Sequence, residues 1–85
     1  MTDAELLMRI RVIVGSTRAA ARSVGRDAAQ LGEVLDRGRW LLDAMAPGVE
    51  RDGSVAVRDR LAEAWEEIAA MTPAESAEAE AEQQA

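Results

Sequence analysis

The 85-residue sequence contains no cysteine, histidine, lysine, phenylalanine or tyrosine, and its only aromatic residues are two tryptophans. Without cysteine the chain can form neither disulfides nor thiolate ligands, and without histidine a transition-metal site would have to be built from carboxylates alone. No arrangement of its carboxylates or hydroxyls matches a catalytic or metal-binding motif. We therefore expect no enzymatic activity, no cofactor and no metal site, and we expect a function in contacting other proteins.

Large apolar residues are also scarce. The hydrophobic fraction is 48%, but 18 of the residues behind it are alanine. A chain of this length buries only a modest share of its surface, and short chains without disulfides or metals commonly gain stability from a partner. The composition therefore predicts a protein partner, first of all the chain itself as a homodimer or higher oligomer, with a different protein as a further candidate.

No long apolar run is present either. The apolar residues between Ile10 and Val14 are interrupted by Arg11, whereas a membrane span needs about 20 predominantly apolar residues. A signal peptide likewise needs an uninterrupted apolar stretch. We therefore predict no membrane span, and the default expectation for the location is the cytoplasm.

Helical periodicity dominates what the sequence does contain. Thr2 and Glu5 have the spacing of a capping box at the start of a helix. Apolar and small residues then alternate at steps of three and four, as in a heptad seam, and this seam consists of Leu7, Ile10, Val14, Thr17, Ala21, Val24, Ala28, Leu31, Leu35, Gly38, Leu42 and Met45. A second line widens the seam into the broader face of a bundle helix, and its members are Leu6, Ile13, Ala20, Val34 and Leu41.

The residues that end and cap helices predict an all-α helical hairpin over residues 1–72. Pro47 and Gly48 indicate the end of a long helix spanning 3–45, and Ser54 is the predicted N-cap of a shorter antiparallel helix spanning 55–71. We expect oligomerisation to complete this hairpin to a bundle. Residues 73–85 are acidic and rich in alanine and glutamate, so they are predicted to form a frayed or disordered tail.

Gly25 provides an alternative to the long helix. Asp27 and Gln30 follow it with the spacing of a fresh capping box, so a helix could end at Gly25 and another could start at Asp27. The chain would then be a three-helix bundle. The heptad phase, however, runs through Gly25 without a slip, and this favours the continuous helix.

A continuous first helix would leave apolar side chains that its own chain cannot cover. An antiparallel second helix, with Trp65 opposite Leu35, would end before it reached the N-terminal half of the first helix. Burial of each large apolar side chain contributes about 1.5–3 kcal/mol, so a partner is expected to cover the rest. The predicted interface consists of Leu6, Leu7, Ile10, Ile13, Val14, Ala21, Val24, Gly25 and Gly32, in which the two glycines would let the partner's backbone approach closely.

Trp40 is a further candidate for contact. It falls on the side of the predicted helix opposite the heptad seam, and exposed tryptophans are favoured at interfaces. The alternative is that the helix rotates locally at Gly38 and that Trp40 packs on Leu61.

An arginine stripe, formed by Arg11, Arg18, Arg22 and Arg26, falls on the side away from the seam. It is a solvated face, a match for the acidic tail, or a surface for phosphates. The net charge of −6 and the lack of aromatic residues among these arginines argue against nucleic acid as the partner.

The hairpin outline resembles the small secreted proteins of type VII systems. The predicted turn reads Ala46-Pro47-Gly48 where that family carries Trp-x-Gly, and the chain has no tyrosine for the family's C-terminal secretion signal. The resemblance therefore implies an outline and transfers no functional residue. The leading hypothesis is an oligomerising, non-enzymatic adaptor or assembly component of bacterial or phage origin. The second is a small nucleic-acid-associated or regulatory protein that uses the arginine stripe, and the third is a secreted helical hairpin.

Overall fold

A computed structural model describes residues 1–71 and confirms the all-α class. The described part of the chain folds into three helices: α1 (Asp3–Val24), α2 (Ala28–Asp52) and α3 (Val55–Ala69). None of these helices is long and apolar enough to cross a membrane. The predicted acidic tail, residues 73–85, lies outside the described residues.

Each helix begins at a side chain that accepts a hydrogen bond from an otherwise unsatisfied backbone N–H. Thr2 Oγ1 accepts from Glu5 N at 3.2 Å, and Ser54 Oγ accepts from Val57 N at 3.4 Å. These bonds satisfy donors that have no partner within the first turn of a helix. The predicted caps at Thr2 and Ser54 are therefore confirmed.

The predicted continuous helix 3–45 is wrong, and the three-helix alternative is confirmed. Gly25 ends α1 with φ 59° and ψ −122°, a conformation that side chains other than glycine's strongly disfavour. Asp27 then caps α2, because its Oδ1 accepts from Gln30 N at 3.1 Å. The local signals at these residues prevailed over the unbroken heptad phase because folding α1 back buries its apolar face within the same chain.

The predicted helix end at Pro47 is also wrong, because α2 continues to Asp52 with the proline inside it. Proline lacks an N–H, so one helical hydrogen bond is lost at this point. The carbonyl that loses its donor belongs to Asp43, and because both Asp43 and Pro47 are exposed it lies on the water-facing side of the helix, while Val49 is only 1% exposed. Burial of Val49 in the core offsets part of the cost of the proline.

The helices run up, down and up, so α3 lies parallel to α1. Ser54 N donates to Asp3 Oδ1 at 3.3 Å, which fixes the start of α3 beside the start of α1. Near the end of α3, a Cβ added to Gly38 in the middle part of α2 would lie 2.7 Å from Thr17 Oγ1 and 3.2 Å from Ile68 Cδ1, so the three helices also meet at this level.

The predicted pairing of Leu35 with Trp65 is wrong. The α2–α3 pairing is displaced from the predicted register, because the turn lies at Gly53 and not near Glu50, and Gly38 therefore lies beside Ile68. Trp65 accordingly lines the same surface as Ala46 and Leu61.

The core forms where the heptad seam of α1 and α2 meets α3. The buried apolar residues are Leu6, Ile10, Val14, Leu31, Leu35, Leu42, Val49, Val57, Leu61, Ala64 and Ile68. Most of the large seam residues are among them, as predicted, and Trp65 packs against them from its partly buried position. The large seam residues outside the buried set are Leu7, Val24 and Met45. Leu7 is 37% exposed and Leu6 takes its place in the core, while Val24 and Met45 are half-buried.

Candidate functional site

An open groove runs between α1 and α2, and none of the residues that line it belongs to α3. Its apolar section has a volume of about 370 Å³ and is lined by Met8, Arg9, Val12, Ile13, Leu41, Ala44 and Met45. At Leu41 this section joins a narrower one of about 210 Å³, which includes Ser16, Ala20 and Val34. A third section continues past Val34 to Val24 and Gln30. We call the whole feature the α1/α2 groove.

The floor of the α1/α2 groove corresponds to the second apolar line of the sequence. Ile13, Ala20, Val34 and Leu41 are half-buried, and all four line the groove. Helical geometry explains this, because residues one position away from a seam residue point about 100° around the helix. Most seam residues face α3, and the second line from Ile13 onward faces the side that no third helix covers. The exceptions are Leu6, which is buried in the core, and Val24 and Met45 of the seam, which line the groove.

Two large apolar side chains flank this floor and remain in water. Met8 is 58% exposed and Val12 is 56% exposed, and both line the apolar section. One turn apart on α1, they form a single rim. Isolated exposed apolar residues are common on proteins, but these two border a groove that is itself apolar.

Trp40, on α2, is exposed and does not pack on Leu61. Its side chain is 66% exposed, and Leu61 packs in the core with Trp65 on the other side of α2. The helical neighbours of Trp40 are Arg37, three residues before it, and Ala44, four residues after it. Both neighbours line the α1/α2 groove, so the indole emerges beside the groove.

The predicted interface contained three side chains that the chain covers by itself. Leu6, Ile10 and Val14 are 2%, 0% and 4% exposed. The expectation that they lie uncovered was wrong, because it assumed that α1 continued into α2 and could not fold back. A side chain buried in this way has no surface to offer to a partner, so these three belong to the core.

The other predicted interface residues divide between the groove and its surroundings. Ile13 and Val24 line the α1/α2 groove, and Ala21 packs against the core. Gly25 is exposed in the turn, and a Cβ at Gly32 would meet no atom within 4 Å. Within the chain the close approach of helices occurs at Gly38, and the predicted approach of a partner's backbone at Gly25 and Gly32 stays a prediction.

Most of the groove was missed by the sequence prediction of interface residues. Met8, Val12, Ala44 and Met45 carry its apolar section, together with Ile13 and Leu41. The signal that could have found it is the second apolar line, which contains both Ile13 and Leu41. That line was interpreted as part of one broad buried face.

The arginine stripe lies apart from the groove. Arg11, Arg18 and Arg22 are exposed on α1, and none of them lines the groove, whereas Arg9 does. Arg26 is exposed in the turn before α2. The predicted match between the stripe and the acidic tail involves residues outside the described part of the chain and stays a prediction.

The described residues show ion pairs at the surface and no arrangement for metal binding. Arg60 lies 3.5 Å from a carboxylate oxygen of Glu67 and 3.9 Å from one of Glu63. No group of three or more histidine, cysteine, aspartate or glutamate side chains within residues 1–71 is placed to hold a metal ion.

Comparisons of the chain with protein-family models, with curated proteins and with solved structures find no match.

Proposed function

We propose that this protein is a non-enzymatic, oligomerising adaptor or assembly component that acts through protein–protein contacts at the α1/α2 groove. The observation that carries the proposal is the groove itself. It has a half-buried apolar floor at Ile13 and Leu41 and exposed apolar side chains, Met8 and Val12, at its rim. A groove between two antiparallel helices is the shape that receives an amphipathic helix.

The energetics favour an occupied groove. Full burial of an apolar side chain of this size contributes about 1.5–3 kcal/mol, and both Met8 and Val12 are more than half exposed. Met8 of α1 and Met45 of α2 both line the apolar section. Methionine side chains are unbranched and polarisable, so they adapt to the shape of an incoming partner.

The proposed surface replaces the one expected from the sequence and keeps the same kind of partner. An incoming helix would add a fourth member to the bundle at the usual spacing of about 8–10 Å between helix axes. The partner can be a second copy of the chain or a different protein. We further propose a cytoplasmic location and a bacterial or phage origin, as expected from the sequence.

The test is the oligomeric state of a matched pair of variants. Val12 in the groove and Val55 at the start of α3 are both valines and are 56% and 69% exposed, and Val55 does not line the groove. We expect light scattering coupled to size exclusion to show an oligomer for the wild type at tens of micromolar. Val12→Asp should dissociate it and Val55→Asp should not, because only the first places a charge in the contact.

Circular dichroism checks that both variants keep their helices, which their exposure leads us to expect. A wild-type monomer at these concentrations would remove self-association from the proposal. Equal effects of the two aspartates would place the contact outside the groove.

Nucleic-acid association is the second candidate, supported by three exposed arginines on one helix. Arg11, Arg18 and Arg22 recur at steps of seven and four, so they share one side of α1. Salt-sensitive retardation of DNA or RNA that is lost in Arg18→Glu/Arg22→Glu would favour this function. The secreted type VII hairpin is not proposed, because the described chain has three helices where that resemblance needed two.

A further inference from the structure

We propose that the partner in the α1/α2 groove is a second copy of this chain, bound through an antiparallel, two-fold pairing of α2 with α2. In this dimer, Trp40 of each copy enters the groove of the other. The inference rests on the proposed function, which makes the groove a contact surface, and it adds the identity of the partner, the element that pairs and the residues in register.

The outer face of α2 carries a single stripe of exposed residues. The stripe consists of Glu33, Arg37, Trp40, Ala44, Pro47 and Arg51, and all six are exposed. Their spacing alternates between four and three, which keeps them on one side of the helix. This is the spacing of a helix-pairing seam, and it lies beside the groove because Arg37 and Ala44 are among the residues that line it.

The stripe is symmetric in position about Leu42, and two of its three symmetric pairs are complementary in chemistry, while the third places Arg37 beside Pro47. In an antiparallel pair centred at that level, Trp40 of one copy lies beside Ala44 of the other, so the largest side chain of the stripe meets the smallest. Glu33 lies beside Arg51, so an acid meets a base. These contacts occur twice, once on each side of the axis, as in any closed two-fold interface.

A parallel pairing in the same register would lack this complementarity. Each residue would lie beside its own copy, so arginine would face arginine at positions 37 and 51 and glutamate would face glutamate at position 33. Like charges placed opposite each other across an interface are unfavourable. The antiparallel arrangement removes these contacts and turns two of them into attractive pairs.

In this dimer the Trp40 indole of one copy lies over Ala44 of the other. Ala44 lines the apolar section of the groove together with Met8, Val12 and Leu41. A tryptophan placed over Ala44 therefore covers a surface bordered by the two exposed side chains of the α1 rim. Tryptophan is enriched among residues that dominate binding energy, particularly where it fills an apolar pocket. One contact thus buries Trp40, Met8 and Val12 together.

The first experiment measures the dimer dissociation constant of Trp40→Ala by sedimentation equilibrium. We expect the constant to rise at least about thirty-fold, the effect typical of an interface hot spot. Val55→Ala is the control, because Val55 is 69% exposed and lies outside the stripe, and it should leave the constant unchanged. A constant that Trp40→Ala does not alter would overturn the inference.

Tryptophan fluorescence tests the destination of the indole. In Trp65→Phe, Trp40 is the single tryptophan, and its emission should shift to the blue as the protein concentration rises through the dissociation constant. Adding Val12→Asp should keep the emission red at every concentration. A dimer whose Trp40 emission stays red would overturn the inference.

The charge pairs test the register. Glu33→Arg and Arg51→Glu should each raise the dissociation constant about fivefold, because each puts two pairs of like charges in contact. The double variant exchanges the charges and should return the constant to within about twofold of the wild type. Because both side chains are exposed, with Arg51 3.5 Å from Asp52 at the end of α2, these changes leave the monomer folded.

The outcomes separate the inference from the proposed function. An oligomer that Val12→Asp dissociates, but that Trp40→Ala and the charge exchange leave unchanged, keeps the groove as the contact surface and overturns the α2–α2 dimer. A monomeric wild type overturns this dimer and self-association together. A dimer whose Trp40 emission shifts to the blue, and whose affinity is restored in the double charge variant, supports both the α2–α2 dimer and the proposed function.

Discussion

The two sides of the α1/α2 helix pair differ in burial. Residues that face α3 are buried, and their neighbours in the sequence on the groove side are only half-buried. Leu42 is fully buried and Val14 is 4% exposed on the side that meets α3. Leu41 and Ile13, one residue away on each helix, are half-buried on the floor of the α1/α2 groove. The two sides carry side chains of the same type and differ in whether a third helix covers them.

This difference in burial is expected to separate the residues that stabilise the fold from those that contact a partner. The fifteen residues of α3 cover one side of the helix pair and complete the core there. The other side stays open, so its apolar side chains add little to the stability of one copy, and in the proposed dimer they would be covered by the partner. We therefore expect substitutions on the two sides to act on different measurable quantities.

The largest expected effect distinguishes two adjacent leucines. Leu42→Ala should lower the free energy of unfolding by about 2–5 kcal/mol, because it leaves a cavity in the closed core. Leu41→Ala should lower it by only about 1 kcal/mol in the monomer, while weakening self-association. Urea denaturation at low protein concentration measures both losses. Equal losses would show that the groove floor is as closed as the core.

The next effect distinguishes two glycines of α2. Gly38→Ala should destabilise the protein by about 1–3 kcal/mol, because the new Cβ would lie 2.7 Å from Thr17 Oγ1 where the three helices meet. Gly32→Ala should instead stabilise it by about 0.5–1 kcal/mol, since a Cβ there meets no atom within 4 Å and alanine favours the helix. Thermal unfolding gives the sign of each change. A stabilising Gly38→Ala would mean that the helices are farther apart than described.

A third substitution tests the turn that folds α1 back on α2. Gly25→Ala should cost about 1–2 kcal/mol, because alanine is strained at a φ of 59°. Gly15→Ala in the middle of α1 is the control and should be stabilising, because nothing lies within 4 Å of its added Cβ. Chemical denaturation of the two variants compares them directly. A stabilising Gly25→Ala would favour a continuous helix through residue 25.

The smallest effect concerns the ion pairs of α3. Glu67→Gln should change the free energy of unfolding by less than about 1 kcal/mol, because Arg60 and Glu67 are 27% and 38% exposed at 3.5 Å. Glu63→Gln should have a smaller effect still, at 3.9 Å and with 64% of the glutamate exposed. Repeating the denaturation in high salt should remove most of either effect. A loss of unfolding free energy as large as that of Leu42→Ala would mean that the ion pairs of α3, and not the burial of apolar side chains, stabilise the side that α3 covers.

Local features of the fold could be predicted because they depend on residues within one or two turns. The caps at Thr2 and Ser54 rest on a hydrogen bond to a residue three positions away. The seam likewise follows from the helical repeat. The break at Gly25 had local signals too, in the glycine and in the spacing of Asp27 and Gln30, but the heptad phase is the same in a broken helix and a continuous one.

Nonlocal burial decided the points that were predicted wrongly. Folding α1 back at Gly25 buries Leu6, Ile10 and Val14, each worth about 1.5–3 kcal/mol, and this offsets the helical hydrogen bonds lost at the turn. Burial of Val49 similarly favours the continuation of α2 beyond Pro47. Both gains depend on residues far away in the sequence, so inspection of the turns alone could not weigh them.

The sequence by itself determined that the chain is helical, where capping residues begin its helices, and that α1 and α2 each have a broad apolar face, because these properties are set by neighbouring residues. Only the tertiary structure decided which part of that face α3 covers. The reversal at Gly25 turns the seam of α1 and the seam of α2 toward α3 and leaves Ile13, Leu41, Met8 and Val12 on the open side. That choice depends on where the chain returns in space, and the period of a helix contains no information about it.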